Sequence, residues 1–598
     1  MIPPDLRARI DAWIADDPDE RDRGELRGLL ADDDPAAEAA LGDRFGGRLQ
    51  FGTAGLRGVV GAGPNRMNRA VVRGTTAALA SWLRARVTPG APGVTEVKTS
   101  GPDDARSHLG QDPAATGGAA GAVADAWGSV VVGCDARYRS DEFADEAARV
   151  LAGAGLRVHL LPPRQPTPVL AFAIRHLSAS AGIMITASHN PPADNGYKLY
   201  LADGAQIVPP ADTEIEAAIR ALGSLAQVPV ADPGSPLITR HGDEVARAYL
   251  DAVTAPFHAP SGASGLRIVY TPLHGVAGGL ALSAFEQAGF PRPEVVSAQF
   301  EPDPAFPTVS FPNPEEPGAL DLALAQARGS GADLVIANDP DGDRLAVAVP
   351  DPQAAGGWRA LTGDQLGALL GAYILERTSS GPDPGHRLVA TTVVSSTLLS
   401  SIAAAAGASY AETLTGFKWI VRAAERRSGL RFIFGYEEAL GFSIGDTVRD
   451  KDGIGAALAT LSLAARARSG GESLLDAYGA LEVAHGVHLT GQLTLRTGSP
   501  AQIMARLRSA PPAAFGGSAV TSVADLAGGT PELPPSDVLS YRLAGARVVI
   551  RPSGTEPKIK AYLEVVEPVS SGRLAEARRA AQARMDPLRE AVQGILAD

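Results

Sequence analysis

Asp339-Pro340-Asp341-Gly342-Asp343-Arg344 sets three carboxylates at alternating positions directly after the apolar run Leu334 to Ala337. Hard oxygen donors at that density hold Mg²⁺ or Ca²⁺, and without a cation the clustered carboxylates would repel one another. An EF-hand loop needs Gly at its sixth position and Glu at its twelfth, where this chain has Arg344 and Pro350, so the calcium-loop reading fails. A second segment, Ile183-Met184-Ile185-Thr186-Ala187-Ser188-His189-Asn190-Pro191, is an apolar run that ends in a hydroxyl, an imidazole, an amide and a proline. Open α/β sheets hold ligands where buried strands open into polar loops, and Pro191 keeps Asn190 out of helical geometry. Ser188 is therefore expected to sit exposed on a rigid tip. His189 follows it directly, and neighbours on an extended stretch point apart, so an orienting or packing imidazole competes with a catalytic one.

Three further segments are weaker when taken singly. Arg551-Pro552-Ser553-Gly554-Thr555-Glu556-Pro557 combines a guanidinium, two hydroxyls and a glycine-exposed backbone, which are the parts of a phosphate cradle. Phe51-Gly52-Thr53-Ala54-Gly55-Leu56-Arg57-Gly58 is a glycine-punctuated loop with one cation. Gly435-Tyr436-Glu437-Glu438-Ala439-Leu440-Gly441-Phe442 places two carboxylates at a strand end, where they could accept hydrogen bonds from paired sugar hydroxyls. Taken alone, the first is moderately specific with an ordinary glycine turn as its competitor, the second reads generically as a structural turn, and the third favours a solvated acidic turn.

The elements that must position these segments follow an α/β rhythm. Strand-like Val130 to Val132, Leu156 to Leu161 and Ile183 to Thr186 alternate with helix-like Ser140 to Leu151 and Val169 to His176. The pattern returns at Arg267 to Tyr270 and Leu334 to Asn338, and again at Leu388 to Val394 and Arg431 to Phe434, giving three α/β layers in series. After about Gly479 come strand-like Val548 to Arg551 and Lys560 to Val566 and a charged amphipathic helix from Arg573, a smaller α+β domain. Residues 89–126, rich in Gly, Ala, Asp and Pro, are expected to form a flexible insertion, and the Pro-rich tract 510–535 a mobile loop.

With 598 residues, the chain is too long for one core. A net charge of −13 disfavours a nucleic-acid surface but not phosphorylated small molecules, because arginines converging on one cleft set the local potential. Cys134 is the only cysteine, which rules out an intrachain disulfide and a thiol metal cluster; it reads as a small buried residue at a strand end. The first 24 residues lack the apolar core of a secretory signal and no uncharged apolar run reaches spanning length, so a cytoplasmic protein with no membrane partner is expected.

All five segments occur once and in the order found in the α-D-phosphohexomutases, the family of phosphoglucomutase and phosphomannomutase with a branch of phosphopentomutase-type enzymes. The chain resembles that family over nearly its whole length. The resemblance implies four domains around a central cleft, three related mixed α/β domains (1–240, 241–352 and 353–478) and a C-terminal α+β lid (479–598). It further implies that Ser188 carries the phosphoryl group and that Asp339, Asp341 and Asp343 hold Mg²⁺ together with an oxygen of the Ser188 phosphate. Arg344 would add a second cation on that phosphate. The phosphoryl group would pass to a phosphorylated sugar, and the resulting sugar bisphosphate would turn over in the cleft and return its other phosphate to Ser188. Arg551, Ser553, Gly554 and Thr555 would bind the phosphate that does not react. Arg57, His189 and Lys198 are the candidates for proton transfer. Glu437, Glu438 and a second specificity loop with Thr415, Gly416 and Lys418 would bind the sugar. A monomer or homodimer is expected.

One position departs from the pattern. Many hexose-selective relatives have Glu-x-Ser in the sugar loop, whereas this chain has Glu437-Glu438-Ala439, which removes a hydrogen-bonding partner of about 1 kcal/mol and resembles the broader branch that includes phosphopentomutases. Glucose phosphates are the first expectation and mannose phosphates the second, with a pentose phosphate as the alternative. Phosphatases built on Asp-x-Asp use an aspartyl nucleophile and need neither Ser188 nor the Arg551 loop. A serine hydrolase lacks its Gly-x-Ser-x-Gly elbow here. A sugar-phosphate binding protein without catalysis would not need to keep Ser188 and all three aspartates.

Overall fold

Strands covered on both faces show no alternation of polar and apolar residues, and Ser129–Cys134, Ala181–Ile185, Leu334–Asn338 and Arg387–Thr392 are buried along their whole length. They form the middles of three sheets. The computed structural model describes residues 2–52, 55–87, 128–260, 262–381, 383–553 and 558–597. These fall into two compact units, Met1–Arg247 with Asp303–Ala305, and Ala248–Pro302 with Phe306–Asp598. The expected insertion at 89–126 lies outside the described residues. Among the described residues no helix is long and apolar enough to cross a membrane.

In the first unit a six-stranded sheet runs in the order Gly55–Val59, Asp194–Leu201, Ala181–Ile185, Ser129–Cys134, Arg157–Leu160, Ile238–Arg240. The last four are parallel, as crossovers through the helices Ser140–Gly153 and Thr167–His176 require, and the first two add antiparallel. Residues 186–193 make the turn from the parallel to the antiparallel part, so the Ser188 loop sits where the sheet changes direction. Cys134 is buried at its strand end, and burial pushes its thiol up to about 12. Three N-terminal helices, Pro4–Asp16, Glu20–Ala31 and Pro35–Phe45, share a small core of Ile10, Leu26, Leu41 and Phe45.

The second unit repeats the device twice. One sheet orders Trp358–Ala360, Leu345–Pro350, Leu334–Asn338, Ile268–Thr271, Glu294–Val295, and another Ser409–Thr413, Arg387–Thr392, Arg431–Glu437, Gly441–Ile444. In each, a parallel strand turns back on itself as an antiparallel hairpin, and the turn carries a motif: residues 339–344 in the first, 438–440 in the second. The third sheet is antiparallel throughout, ordered Val487–Arg496, Lys558–Glu567, Ala546–Pro552, Leu539–Leu543, Ser518–Asp525, Ala514–Phe515. The helix Leu574–Ala597 buries Ala577, Ala581, Met585, Leu588, Val592 and Leu596 against it at helical spacing. The tract 510–535 corrects an expectation. Instead of a loop it supplies the edge strand Ala514–Phe515, the strand Ser518–Asp525 beside it and the buried Leu526; the run of Val, Thr and Ser suits an exposed strand near a sheet edge, a signal that the flanking prolines obscured.

Candidate active site

In the first unit Ser188 is buried, with 7% of its surface exposed, rather than exposed as its loop position suggested. Its φ of 52° places it in the left-handed region, which breaks the alternation of an extended chain. As a result neighbouring side chains meet: Ser188 Oγ lies 3.1 Å from His189 Nδ1. The Ser188 amide donates to Thr186 Oγ1 at 2.9 Å. Below the loop the buried Arg137 donates through Nη2 to the Ser188 and Asn190 carbonyls, both at 2.6 Å, and through Nη1 to those of Pro191 (2.8 Å) and Asp194 (3.1 Å). Asp135 lies 3.4 Å from its Nε. Sequence reasoning missed Arg137; the available signal was a charged Asp135-Ala136-Arg137 immediately after the buried strand beside the Ser188 strand. Arg57 and Lys198 lie on paired strands, Arg57 opposite Gly196 and Lys198 opposite Gly55, so the pleat puts both on one face as diagonal neighbours. A cavity of about 520 Å³ in this unit, lined by Trp13, Leu49, Leu56 and Ile219 among others, touches none of these residues.

In the second unit Asp339, Asp341 and Asp343 are wholly buried, and one oxygen of each lies within 4.8 Å of the others. Burial, with Asp341 and Asp343 alongside, pushes the Asp339 carboxyl well above the ordinary carboxylate range. Three hard oxygen donors with no sulfur or nitrogen among them fit Mg²⁺ and not a soft metal. The surrounding chain supplies positive charge and N–H groups. The Arg344 amide donates to Asp339 Oδ1 at 2.9 Å, and the Arg344 guanidinium donates to Glu315 at 3.2 Å. Lys451 Nζ lies 3.2 Å from Asp343 Oδ2 and 3.6 Å from Asp450. Lys451 escaped sequence reasoning too, though Arg449-Asp450-Lys451-Asp452 is an alternating charge run just before the helix Gly453–Ser469. That helix starts against the carboxylate loop: the Gly453 amide donates to the Gly342 carbonyl at 3.2 Å, while the Asp452 side chain caps the helix through Ile454 and Gly455 and accepts the Tyr249 hydroxyl at 2.7 Å.

The hairpin that carries Glu437 and Glu438 is fastened to the same place, through a bridge between Arg344 and Gly441 and the Leu345 amide on the Leu440 carbonyl at 3.1 Å. Its two carboxylates face different surroundings, as successive residues at a strand end should. Burial raises both carboxyls; Lys451 and Arg344 oppose this at Glu437, and Lys560 and Arg551 oppose it at Glu438. Glu438 Oε2 also accepts from Ser395 Oγ at 3.2 Å and Thr392 Oγ1 at 3.3 Å. Gly416, at φ 108°, opens the short helix Phe417–Ile420, in which Lys418 is buried with its ammonium 5.5 Å over the Trp419 ring. Thr415, just before it, is half-buried. Arg551 stands opposite Lys560 in the C-terminal sheet, and the Ser553 amide donates to the Lys558 carbonyl at 2.8 Å. Gly554 and Thr555 lie outside the described residues.

Comparison with known proteins agrees with this geometry. Profiles of phosphoglucomutase/phosphomannomutase match in order, alpha/beta/alpha domain I over residues 100–225, domain II over 247–355, domain III over 362–481 and the C-terminal domain over 505–581. The chain belongs to the phosphoglucomutase/phosphomannomutase family. As a member it is a mutase, an isomerase that moves a phosphoryl group within its substrate. A Haemophilus influenzae protein named "Probable phosphomannomutase" is 43% identical over 446 residues, 73% of this chain and 88% of its own length. The human phosphopentomutase is 34% identical over 566 residues, 88% of this chain and 86% of its own length. The fold matches the crystal structure of a phosphoglucomutase/phosphomannomutase family protein from Burkholderia thailandensis, with a TM-score of 0.64 at 22% identity, over 91% of this chain and 97% of that one.

Proposed function

We propose that the protein interconverts the 1-phosphate and 6-phosphate of a hexose, glucose first and mannose second, through a phosphoserine at Ser188 and a bound sugar bisphosphate. In the first half-reaction the bond from phosphorus to Ser188 Oγ breaks as one to the sugar O6 forms, and the hydroxyl proton leaves to a nearby base. In the second half the O1 phosphoryl group returns to Ser188 Oγ and O1 takes a proton. His189, Arg57 and Lys198 are the proton carriers proposed. Asp339, Asp341 and Asp343 would hold Mg²⁺, which when bound neutralises charge during in-line phosphoryl transfer. Arg344 contributes a fixed cation beside them. Arg551, Ser553, Gly554 and Thr555 would anchor the idle phosphate. Glu437, Glu438, Thr415, Gly416 and Lys418 would bind the sugar.

The observation that carries this reading is the buried Ser188 hydroxyl held 3.1 Å from an imidazole on a loop whose carbonyls are pinned by Arg137. A nucleophile that must be phosphorylated and dephosphorylated in every cycle needs such a fixed position. One observation favours a second reading: Ala439 leaves the sugar loop without the hydroxyl of Glu-x-Ser, and the human relative is named a phosphopentomutase, so ribose 1-phosphate is the rival substrate. The test is ³¹P NMR with Mg²⁺ and a trace of sugar bisphosphate on glucose, mannose and ribose 1-phosphates in parallel. Fast hexose conversion supports the first reading and fastest ribose conversion the second. A wild-type protein that moves no phosphate on any sugar would leave only a binding function.

A further inference from the structure

The turn from Thr392 to Thr397, between the strand Arg387–Thr392 and the helix Leu398–Ala405, serves two neighbours at once. On one side the hydroxyls of Thr392 and Ser395, themselves 2.8 Å apart, hold Glu438 Oε2 at 3.3 and 3.2 Å. On the other, the Ser396 hydroxyl (2.8 Å) and the Thr397 amide (2.7 Å) donate to Glu564 Oε1, and Arg547 donates to the Ser395 carbonyl. The Ser396 amide donates to Asp364 Oδ1 at 2.7 Å, which also accepts the Tyr436 hydroxyl at 3.1 Å. Tyr436 lies two residues before Glu438, so the turn meets this hairpin directly at Glu438 and a second time through Asp364.

Arg547 and Glu564 belong to the C-terminal sheet, where they face each other across paired strands and form a buried ion pair at 3.2 Å. Arg547 also reaches Glu412 at 3.0 Å, and Glu564 accepts from His488 at 3.0 Å. Four residues along the same two strands stand Arg551 and Lys560, at the end that carries the proposed phosphate loop, a span of about 13 Å. Paired strands packed at interior density have low compressibility and transmit strain along their length.

We propose that the 392–397 turn is a positioning element that sets the Glu438 carboxylate according to the seat of the C-terminal sheet, so that the grip on the sugar ring and the grip on its distant phosphate are coupled. The proposal rests on the sugar-phosphate reading above and names no new catalytic group. Its chemistry is a relay of fixed donors. Binding of phosphate at Arg551 holds the ribbon, Arg547 and Glu564 hold the turn, and the two hydroxyls fix one oxygen of Glu438 before the sugar arrives, which lowers the entropy lost on binding.

The test is a double-mutant cycle with Ser395→Ala and Arg547→Lys, read as KM and kcat for the best sugar 1-phosphate and, without turnover, as calorimetric binding of that same compound. Ser395→Ala is expected to raise KM and weaken binding about tenfold, with a much smaller change in kcat. Ser395→Thr, which keeps a hydroxyl, should restore both. Together the two substitutions should weaken binding by less than the product of their separate effects. Unchanged binding in Ser395→Ala, or separate effects that simply multiply, would overturn the coupling. If Arg547→Lys does not fold, Glu564→Gln, on the same ribbon, takes its place in the cycle. Wild-type protein that binds sugar phosphate but does not turn it over would count against the mutase function and still leave the binding cycle to decide the positioning role.

Discussion

Ser188 Oγ and His189 Nδ1 lie 3.1 Å apart, although the two residues are neighbours in the chain and extended neighbours diverge. The left-handed φ of Ser188 turns the hydroxyl towards the ring, a conformation that costs a non-glycine residue about 1 kcal/mol or more and persists because the loop around it is fixed. Ser188→Ala keeps the Cβ and opens no cavity, so turnover should disappear while the melting temperature moves by only a few degrees. Intact-mass measurement should find one phosphate on the wild type and none on the variant. His189→Asn should lower kcat by about 10²-fold to 10⁴-fold, the range of a lost proton carrier. An unchanged kcat there would pass that role to Arg57 or Lys198.

Arg137 satisfies four loop carbonyls with one guanidinium. Arg137→Met would leave those carbonyls without their donor and the buried Asp135 without its ion-pair partner, a loss of about 3 kcal/mol or more in urea unfolding. Arg137→Lys retains the charge but not the planar fork. It should therefore cost less stability than Arg137→Met yet lower kcat severalfold. Equal kcat in Arg137→Lys and wild type would show that the loop keeps its shape without the fork.

The three buried aspartates crowd like charges together, with Lys451 and Arg344 opposing that repulsion. On the proposed reading Mg²⁺ would bind the folded chain and not the unfolded one, so at about a hundred times its dissociation constant it should stabilise the protein by about 2.7 kcal/mol. Calorimetric scans should show a rise of a few degrees on adding Mg²⁺, reversed by a chelator together with activity. Asp341→Asn should abolish the Mg²⁺ response and leave the metal-free melting temperature equal or higher, because one buried charge is gone. A variant that keeps the full Mg²⁺ shift would place the metal elsewhere.

Much of this was legible in the sequence because buried parallel strands are short apolar runs and because three motifs fall at the turn where such a strand reverses. Leu334 to Asn338 and Ile183 to Thr186 were readable as strands on those grounds, and the polar loops after them as the turns where the sheets reverse. What could not be read is longer in range. Arg137 and Lys451 act on loops roughly fifty and a hundred residues away in the chain, and nothing local to either marks its partner. The left-handed φ of Ser188, which brings its hydroxyl to His189, is specified by no neighbour in the chain. The strands within 510–535 were hidden by prolines that lie between strands and not in them.

The carboxylates at the seam between the C-terminal sheet and the sheet that contains Arg387–Thr392 are shifted in opposite senses. Burial alone would raise the Glu564 carboxyl, but the hydrogen bond from His488, the charge of Arg547 and the Thr397 amide pull it down to about 2 from an ordinary 4.5. A lowered acid contributes stability that is present above its unfolded value and lost as pH falls towards the folded one, here on the order of 3 kcal/mol between about pH 5 and pH 2. Asp364 behaves oppositely. Burial and the Glu564 charge push it up to about 6, so it destabilises the neutral-pH fold and that penalty is relieved as pH falls from about 6 to 4. In denaturant unfolding at a series of pH values, the stability advantage of wild type over Glu564→Gln should therefore shrink below pH 5. An advantage independent of pH would mean that packing and not charge secures the seam.

Gly453 makes the closest test of how the metal loop is held. A Cβ at that position would lie 2.3 Å from the Arg344 carbonyl oxygen and 2.6 Å from Asn338 Nδ2, and both neighbours are fixed, since Asn338 Nδ2 donates to that same carbonyl at 2.7 Å and its Oδ1 accepts the Tyr270 hydroxyl at 2.9 Å. Ala is the better helix former and would stabilise an exposed helix, so propensity and packing predict opposite signs for Gly453→Ala. Packing should win, because overpacking a rigid core costs about 1–3 kcal/mol against about 1 kcal/mol of propensity. The helix would have to retreat from the Gly342 carbonyl, which it now holds at 3.2 Å, and the three aspartates would lose their shared spacing. Gly453→Ala should thus lose Mg²⁺ affinity by at least tenfold while Gly279→Ala, at an open helical position, leaves it unchanged. Wild-type Mg²⁺ affinity in Gly453→Ala would mean that the hairpin holds the carboxylates without the helix behind it.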